Sequence, residues 1–350
     1  MDKDFPILEL PETMQRALVK KLAPAEAIEI AIMNPDFRQI LSKYKLHATK
    51  IEWKWAVDPW DAAIYIQVDF EEGQNSLRID IPLKHYAKKT KTILGQLDVK
   101  DVGFRSAMID NNNTKWLNPQ IYVEGFTDWQ VLEVYTIFIL DLVRADKFEL
   151  HGEFGKDQEF LDCFLWKYCK KFSSFHAEFH YEKKKLKHFK FLNEQLEVES
   201  CYLQFKQTKK TKTMYKTPIS ARSVVLNNAN FLHPDSILQS NCSSLALWHR
   251  IMPSIFNSVV RKWQNGEGME NLKEFEGICE SVEGDPINDK ATFDGIATLK
   301  TSKRQEIGSY EKLEDCVDVL RSTDRARATI CFDKRKRFRF WVHEPKEKKN

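Results

Sequence analysis

His176 and His180 stand four residues apart, a spacing that on a helix would bring two imidazoles to one metal ion. Phe175 and Phe179 alternate with them, however, and alternation is the mark of a strand, where residues four apart lie about 13 Å from each other along one face. That is too far to share a metal, so no metal site is assigned. The chain's 12 glycines form neither G-x-G-x-x-G nor G-x-x-x-x-G-K-[ST], the loops whose backbone N–H groups cradle phosphate. No G-x-S-x-G elbow occurs, and none of the seven cysteines, Cys163 to Cys331, lies in a C-x-x-C pair or a nucleophile motif. The reading is of a protein without catalytic residues or cofactor, whose function is binding.

What it binds is constrained by charge. Three basic runs, Lys183 to Lys190, Lys206 to Lys216 and Lys334 to Arg339, interleave with aromatics as nucleic-acid surfaces do. They read equally as solvated loops and an edge hairpin whose charges discourage strand pairing. A net charge of +3 over 350 residues gives no long-range field towards phosphate, and nucleic acid is not the expected partner. The hydrophobic share of 42% and aromatic share of 12% describe a globular chain with a core. The odd, scattered cysteines are expected to be reduced core residues. The N-terminal Met-Asp-Lys-Asp lacks the apolar run of a signal peptide, and Trp129 to Val143, the most apolar stretch, is interrupted by Glu133 and Asp141. The expectation is a cytoplasmic and/or nuclear protein with no membrane partner.

The elements that would present a binding surface begin at the N-terminus. An extended Leu8-Glu-Leu-Pro11 entry leads into a helical pattern with apolar residues at Met14, Ala17, Leu18 and Leu22, Pro11 sitting where no N–H is needed. Ala23-Pro24 opens a second helix carrying Ile28, Ala31 and Ile32, and Asn34-Pro35 caps a third that buries Phe37, Ile40 and Leu41. Three helices in about forty residues are too few to stand alone, so they either cap the following domain or await a partner. Phe5-Pro-Ile-Leu-Glu-Leu-Pro11, Leu22-x-Pro24-x-Glu26-x-Ile28 and Phe37-Arg38-x-Ile-Leu41 together resemble an F-box. In that family the helices dock on a Skp-type adaptor tied to a cullin scaffold. The resemblance implies adaptor binding through Leu8, Leu10, Pro11, Leu22, Pro24, Ile28, Phe37 and Leu41.

After residue 45 the pattern changes to alternation. Ile51 to Val57, Ala63 to Phe70 and Ser76 to Ile81 predict a small antiparallel sheet, with Trp53 and Trp55 packing on the core. Further on, apolar or small residues recur as i, i+3, i+5: Asn118/Ile121/Val123, Ala145/Phe148/Leu150, Phe172/Phe175/Ala177, Val198/Cys201/Leu203, Ala221/Val224/Leu226, Cys242/Leu245/Leu247 and Leu272/Phe275/Gly277, with Leu94/Leu97/Val99 a candidate eighth. Their first residues step by 27, 27, 26, 23, 21 and 30, the spacing of leucine-rich-repeat units. Helical patterns at 129–143, 157–171, 186–196 and 249–263 fall between them, and Asn265-Gly266 stops the last. An irregular curved α/β sheet is expected, with an ordinary doubly wound sheet as the alternative. Residues between the buried ones would face the concave side, and Tyr122, Glu149, His151, His176, Glu178, Tyr202, Asn227 and Trp248 are the candidate contacts for a target protein.

Ala221 to Ile278, with Val224-Val-Leu-Asn-Asn-Ala and Val260-Arg-Lys-Trp-Gln-Asn-Gly266, resembles the F-box-associated domain of F-box families expanded in nematodes. Asp318 to Asp324, Arg327 to Ile330 and Arg337 to Val342 resemble the terminal hairpin of those families. Where they usually have Asp-Gly at the turn, Arg325 follows Asp324, so a longer loop is expected. The organisation implied is an F-box over 1–45, an antiparallel β linker over 46–116, a leucine-rich-repeat-like substrate-binding domain over 117–300, its β-hairpin over 301–345 and a basic tail over 346–350. The function implied is that of a non-catalytic substrate receptor of an SCF-type ubiquitin ligase. An adaptor-bound protein with no part in ubiquitylation, or a nucleic-acid binder using the basic runs, is the alternative.

Overall fold

In the computed structural model, the described residues are 7–56, 63–71, 76–81, 104–109, 114–119, 128–155, 160–180, 185–206, 214–279, 290–300, 316–332 and 337–343. The chain is mixed α/β and divides into two compact units, one of Met1–Glu153 with Phe164–Cys169, the other of Phe154–Cys163 with Lys170–Asn350. No helix among the described residues is long and apolar enough to cross a membrane.

The first unit opens with a 3-10 turn, Ile7–Glu9, and three helices, α1 (Glu12–Lys21), α2 (Pro24–Met33) and α3 (Pro35–Tyr44). Proline sets each start: Pro11 occupies the N-cap of α1, and Pro24 and Pro35 take first positions where a missing N–H costs nothing. Asn34 caps α3, its Oδ1 accepting the N–H of Phe37 at 2.9 Å. These helices rest on α4 (Asp128–Leu142) of the same unit. Ser42 Oγ donates to Asp141 at 2.7 Å, Lys45 Nζ donates to the carbonyl of Leu140 at 3.0 Å, and the Arg38 guanidinium lies over the Phe138 ring at 5.7 Å.

Strands β1 (Leu46–Ala56), β2 (Ala63–Asp69), β3 (Ser76–Ile81), β4 (Phe104–Ile109), β5 (Thr114–Pro119) and β6 (Val143–Phe154) lie in the order β4-β5-β3-β2-β1-β6. The expected small antiparallel sheet is corrected here. β2 is antiparallel to both β1 and β3, but β1 also pairs parallel with β6, and β3 parallel with β5. Alternation reveals a strand's two faces and is silent about its neighbours, and the free N–H and C=O groups on the far side of β1 needed β6. Ile51, Trp53 and Trp55 stand beside Phe148, Leu150 and Gly152, and α4 covers this apolar face. Trp53 Nε1 donates to Thr136 Oγ1 at 3.0 Å, and Trp55 meets Trp129 edge-on at 4.7 Å. Residue 152 must be glycine, because a Cβ there would fall 2.6 Å from the Trp55 ring.

The second unit holds β7 (Lys171–Phe179), α5 (Lys185–Gln195), β8 (Glu197–Phe205), β9 (Ser223–Asn227), α6 (Pro234–Leu238), β10 (Ser244–Ile251), α7 (Pro253–Asn265), β11 (Glu274–Cys279), α8 (Lys290–Phe293), β12 (Thr298–Lys300), β13 (Cys316–Leu320), β14 (Arg327–Phe332) and β15 (Arg337–Val342). Its strands run in the order β7-β8-β9-β10-β11-β15-β14-β13-β12, the first five parallel and the rest antiparallel. The spaced apolar residues come into line across the parallel strands. Phe175, Cys201, Val224, Leu245 and Phe275 form one buried row, and Ala177, Leu203, Leu226, Leu247 and Gly277 the next. On that side α7 packs Phe256 against Phe338 at 4.6 Å and Trp263 against Phe340 at 5.1 Å.

Other expectations shift. Of the helix predicted at 157–171, the described residues form two short 3-10 turns, Phe160–Asp162 and Phe164–Lys167, with the consecutive Phe164, Leu165 and Trp166 all buried, a run that one face of an amphipathic helix does not accommodate. The helix predicted from 249 starts instead at Pro253, leaving His249 in β10. The first triplet meets β5, which ends at Pro119, so Ile121 and Val123 lie outside the described residues, as do Leu94, Leu97 and Val99. The terminal hairpin is part of a four-stranded antiparallel run, β12 to β15. Residues 321–326 join β13 to β14 as a longer loop, with Arg325 at φ 63° and Arg321 forked onto Asp324 at 2.9 and 2.6 Å. Cys316 and Cys331, expected to be reduced, are bonded to each other. They stand directly opposite on β13 and β14, a juxtaposition that appears only once the hairpin register is known.

Candidate functional site

The N-terminal helices present an unexpected side. The apolar stripe of α1 turns outward: Met14 is 57% exposed and Ala17 is exposed, whereas the buried positions are Gln15 and Val19. Gln15 faces inward because its Nε2 donates to the carbonyls of Leu8 (3.0 Å) and Leu10 (3.1 Å), pinning the entry segment along the helix. Leu8 is 41% exposed, Pro11 is exposed and Leu10 half-buried, so these residues and Met14 make an apolar patch uncovered by described residues of the chain. Leu22 and Pro24 are half-buried and line a cavity of about 380 Å³. Ile28, Phe37 and Leu41 have almost no accessible surface. Such side chains offer a partner nothing to touch, and their part is to hold α2 and α3 in place.

The second predicted surface falls in both units. Glu149 and His151 lie on β6 in the first unit, both half-buried on the face away from α4. There Lys50 Nζ stands 3.2 Å from Glu52, 3.2 Å from Asp69 and 3.3 Å from Glu149. Burial alone would lower the Lys50 pKa, but the three carboxylates hold it well above the usual lysine range. Arg78 pairs with Asp80 at 2.9 Å and stacks on Tyr65 at 3.8 Å.

His176, Glu178, Tyr202, Asn227 and Trp248 belong to the second unit, and the parallel register brings them to one face. His176 and Tyr202 rings meet at 4.3 Å, and Trp248 stands edge-on to Tyr202 at 5.9 Å. Tyr202 donates to Gln204 Oε1 at 3.2 Å, and Gln204 in turn donates to Glu178 at 3.3 Å. Trp248 is 45% exposed, beside a register shift between Leu247 and Arg250 that breaks the ladder to β11. A row of Ser174, Ser200, Ser223 and Ser244 crosses the same face, half-buried. Their hydroxyls make no hydrogen bond to other described residues. His180 follows β7, so the two histidines are on a strand and its end as the alternation predicted. Tyr122 lies outside the described residues.

Of the basic runs, residues 183–184, 207–213 and 334–336 lie outside the described residues. Lys185 is buried, with Nζ 2.8 Å from Asn230 Oδ1, and Arg339 pairs with Glu276 at 3.1 Å. His249, whose Nδ1 is enclosed, is pushed down to about 4 by burial and by the nearby Lys185 charge. The outward face of α1 and the Gln15 clasp escaped the sequence reading, although an apolar stripe that a small helical trio cannot consume was the available signal. Compared with known proteins, the chain matches no family model, no curated protein and no solved structure.

Proposed function

We propose that this chain is a non-catalytic receptor that connects a target protein to a Skp-type adaptor and, through it, to the cullin scaffold of an SCF-type ubiquitin ligase. The observation that carries the reading is the uncovered apolar patch of Leu8, Leu10, Pro11 and Met14, held ready by Gln15. Helices 12–44 are then the F-box, and the resemblance of residues 5–41 to that motif names the partner class. The parallel strands of the second unit, with crossovers and a step of 21 to 30 residues, act as leucine-rich-repeat-like units whose polar face holds the target. A receptor of this kind breaks no bonds. It raises the effective concentration of target lysines near a ubiquitin-loaded enzyme carried elsewhere on the assembly.

Co-purification with a Skp-type adaptor tests the reading. The full chain is expected to retain the adaptor, and Leu10→Ala with Pro11→Ala to lose it by roughly tenfold or more, the cost of about 1.4 kcal/mol at a buried contact. Failure of the wild type to retain any adaptor overturns the proposal.

A further inference from the structure

The cavity of about 380 Å³ in the first unit lies between α1, the start of α2 and the junction of α3 with β1. Its walls are apolar at Val19, Leu22, Pro24 and Leu46, while Arg16 and Lys20 bring two cations to it; Lys45 also lines it, but its ammonium donates to the Leu140 carbonyl. One carboxylate, Glu71, stands at its edge, exposed and 3.9 Å from His47, whose other ring nitrogen is 3.0 Å from Asp146, so the two cations still outnumber it. Arg16 lies against the Tyr44 ring at 5.4 Å, a contact that leaves its N–H fork available, and Lys20 has no ion pair with another described residue. Lys45 holds a positive φ of 45° at the end of α3, where the chain turns from helix into strand.

The volume suits one side chain and its flanking backbone, and the unmatched positive charge above apolar walls suits an anionic group on a short stem. Arg16 and Lys20 are on α1, the helix that also carries Met14 of the uncovered patch. We infer that this cavity is a binding site for a carboxylate side chain, Asp or Glu, from an acidic segment of the protein that docks on α1. The inference rests on the receptor reading for the identity of that protein, and on the cavity alone for the chemistry. The apolar patch would supply affinity and the cavity would fix register and direction, since charged groups at the margin of an interface steer encounter more than they hold it.

Two measurements on the full chain test it. Fluorescein-labelled peptides rich in glutamate, serine, lysine or phosphoserine are titrated by anisotropy at low and high salt, against wild type, Arg16→Glu with Lys20→Glu, and Lys187→Glu. Lys187 is an exposed lysine on α5 in the other unit, so its reversal controls for a charge reversal placed away from the cavity. The glutamate peptide is expected to bind about tenfold tighter than the serine peptide, to lose that margin in high salt and in the double variant, and to keep it in Lys187→Glu. Equal binding of the glutamate and serine peptides, an unaffected double variant, or an equal loss in Lys187→Glu overturns the site. A phosphoserine peptide that binds where glutamate does not overturns the carboxylate in favour of a phosphoryl group. Adaptor co-purification with the double variant is run beside them. Adaptor lost by wild type sinks the receptor reading and leaves the peptide result standing, whereas adaptor retained unchanged by the double variant sinks the acidic anchor.

Discussion

The open face of the first unit's sheet and that of the second unit's sheet are both polar, but their polarity is spent differently. On the first, charges face opposite charges: Lys50 is ringed by three carboxylates, Arg78 has Asp80 and the Tyr65 ring, and Gln67 donates to Asp69 at 2.9 Å. On the second, Tyr202, Gln204 and Glu178 are linked, but four serine hydroxyls in a row have no partner among the described residues, and Trp248 stands out beside Tyr202. A face whose groups satisfy one another is closed to newcomers, because a ligand must break those bonds before making its own. A face that keeps a row of hydroxyls uncommitted beside an aromatic pair has the composition of a contact surface.

That contrast predicts how each face responds to substitution. Lys50→Met should remove the largest amount of stability, about 2 kcal/mol, because it leaves Glu52, Asp69 and Glu149 facing one another without a cation. Burial raises the Asp69 pKa, and hydrogen bonds from Gln67 and Ser76 together with Lys50 bring it below the ordinary value. Its stabilising share is therefore present at neutral pH and is lost as pH falls through that lowered pKa. Urea melts at pH 7 and pH 3 should show the gap between wild type and variant narrowing in acid. A gap that stays constant would mean the network is not what holds this face.

His249 sharpens the comparison in the second unit. A histidine whose folded pKa is depressed from 6.5 to about 4 takes up its proton more readily when unfolded. Its neutral form thus contributes fully above pH 6.5, and the contribution is lost as pH falls towards 4. His249→Gln should flatten stability between pH 7 and pH 4, measured by thermal melts. The acid weak point of this unit would then lie at a strand end rather than on its open face. The smallest effect is expected from the serines: Ser200→Ala and Ser223→Ala should each change stability by less than about 0.5 kcal/mol. A larger loss would show that the row is structural and would erase the difference between the faces.

Periodicity carried most of what could be read beforehand. Because a parallel ladder in one register must bury equivalent positions, the triplets from Phe172 to Gly277 located β7 to β11 and their inward rows. Proline and asparagine likewise placed the helix starts at Pro24 and Pro35, since their effects are local. What depended on which strands become neighbours stayed hidden: the parallel partner of β1 and the Cys316–Cys331 bond; the inward turn of Gln15 is local, but nothing in the helical period marks a polar residue for burial. Of the candidate residues, strand alternation placed Tyr202 and Trp248 on the face opposite the buried rows, while Phe37 and Leu41 are buried as the helical period of α3 implied, and Ile28 with them.

The Gln15 clasp has a thermodynamic consequence for whatever docks there. A free Leu-x-Leu-Pro arm would have to be immobilised at the moment of binding, at about 1 kcal/mol for each backbone residue fixed. With the carbonyls of Leu8 and Leu10 tied to one amide, that entropy has already been surrendered during folding. The arm therefore meets its partner as a preformed surface, and more of the energy of apolar contact remains available as affinity.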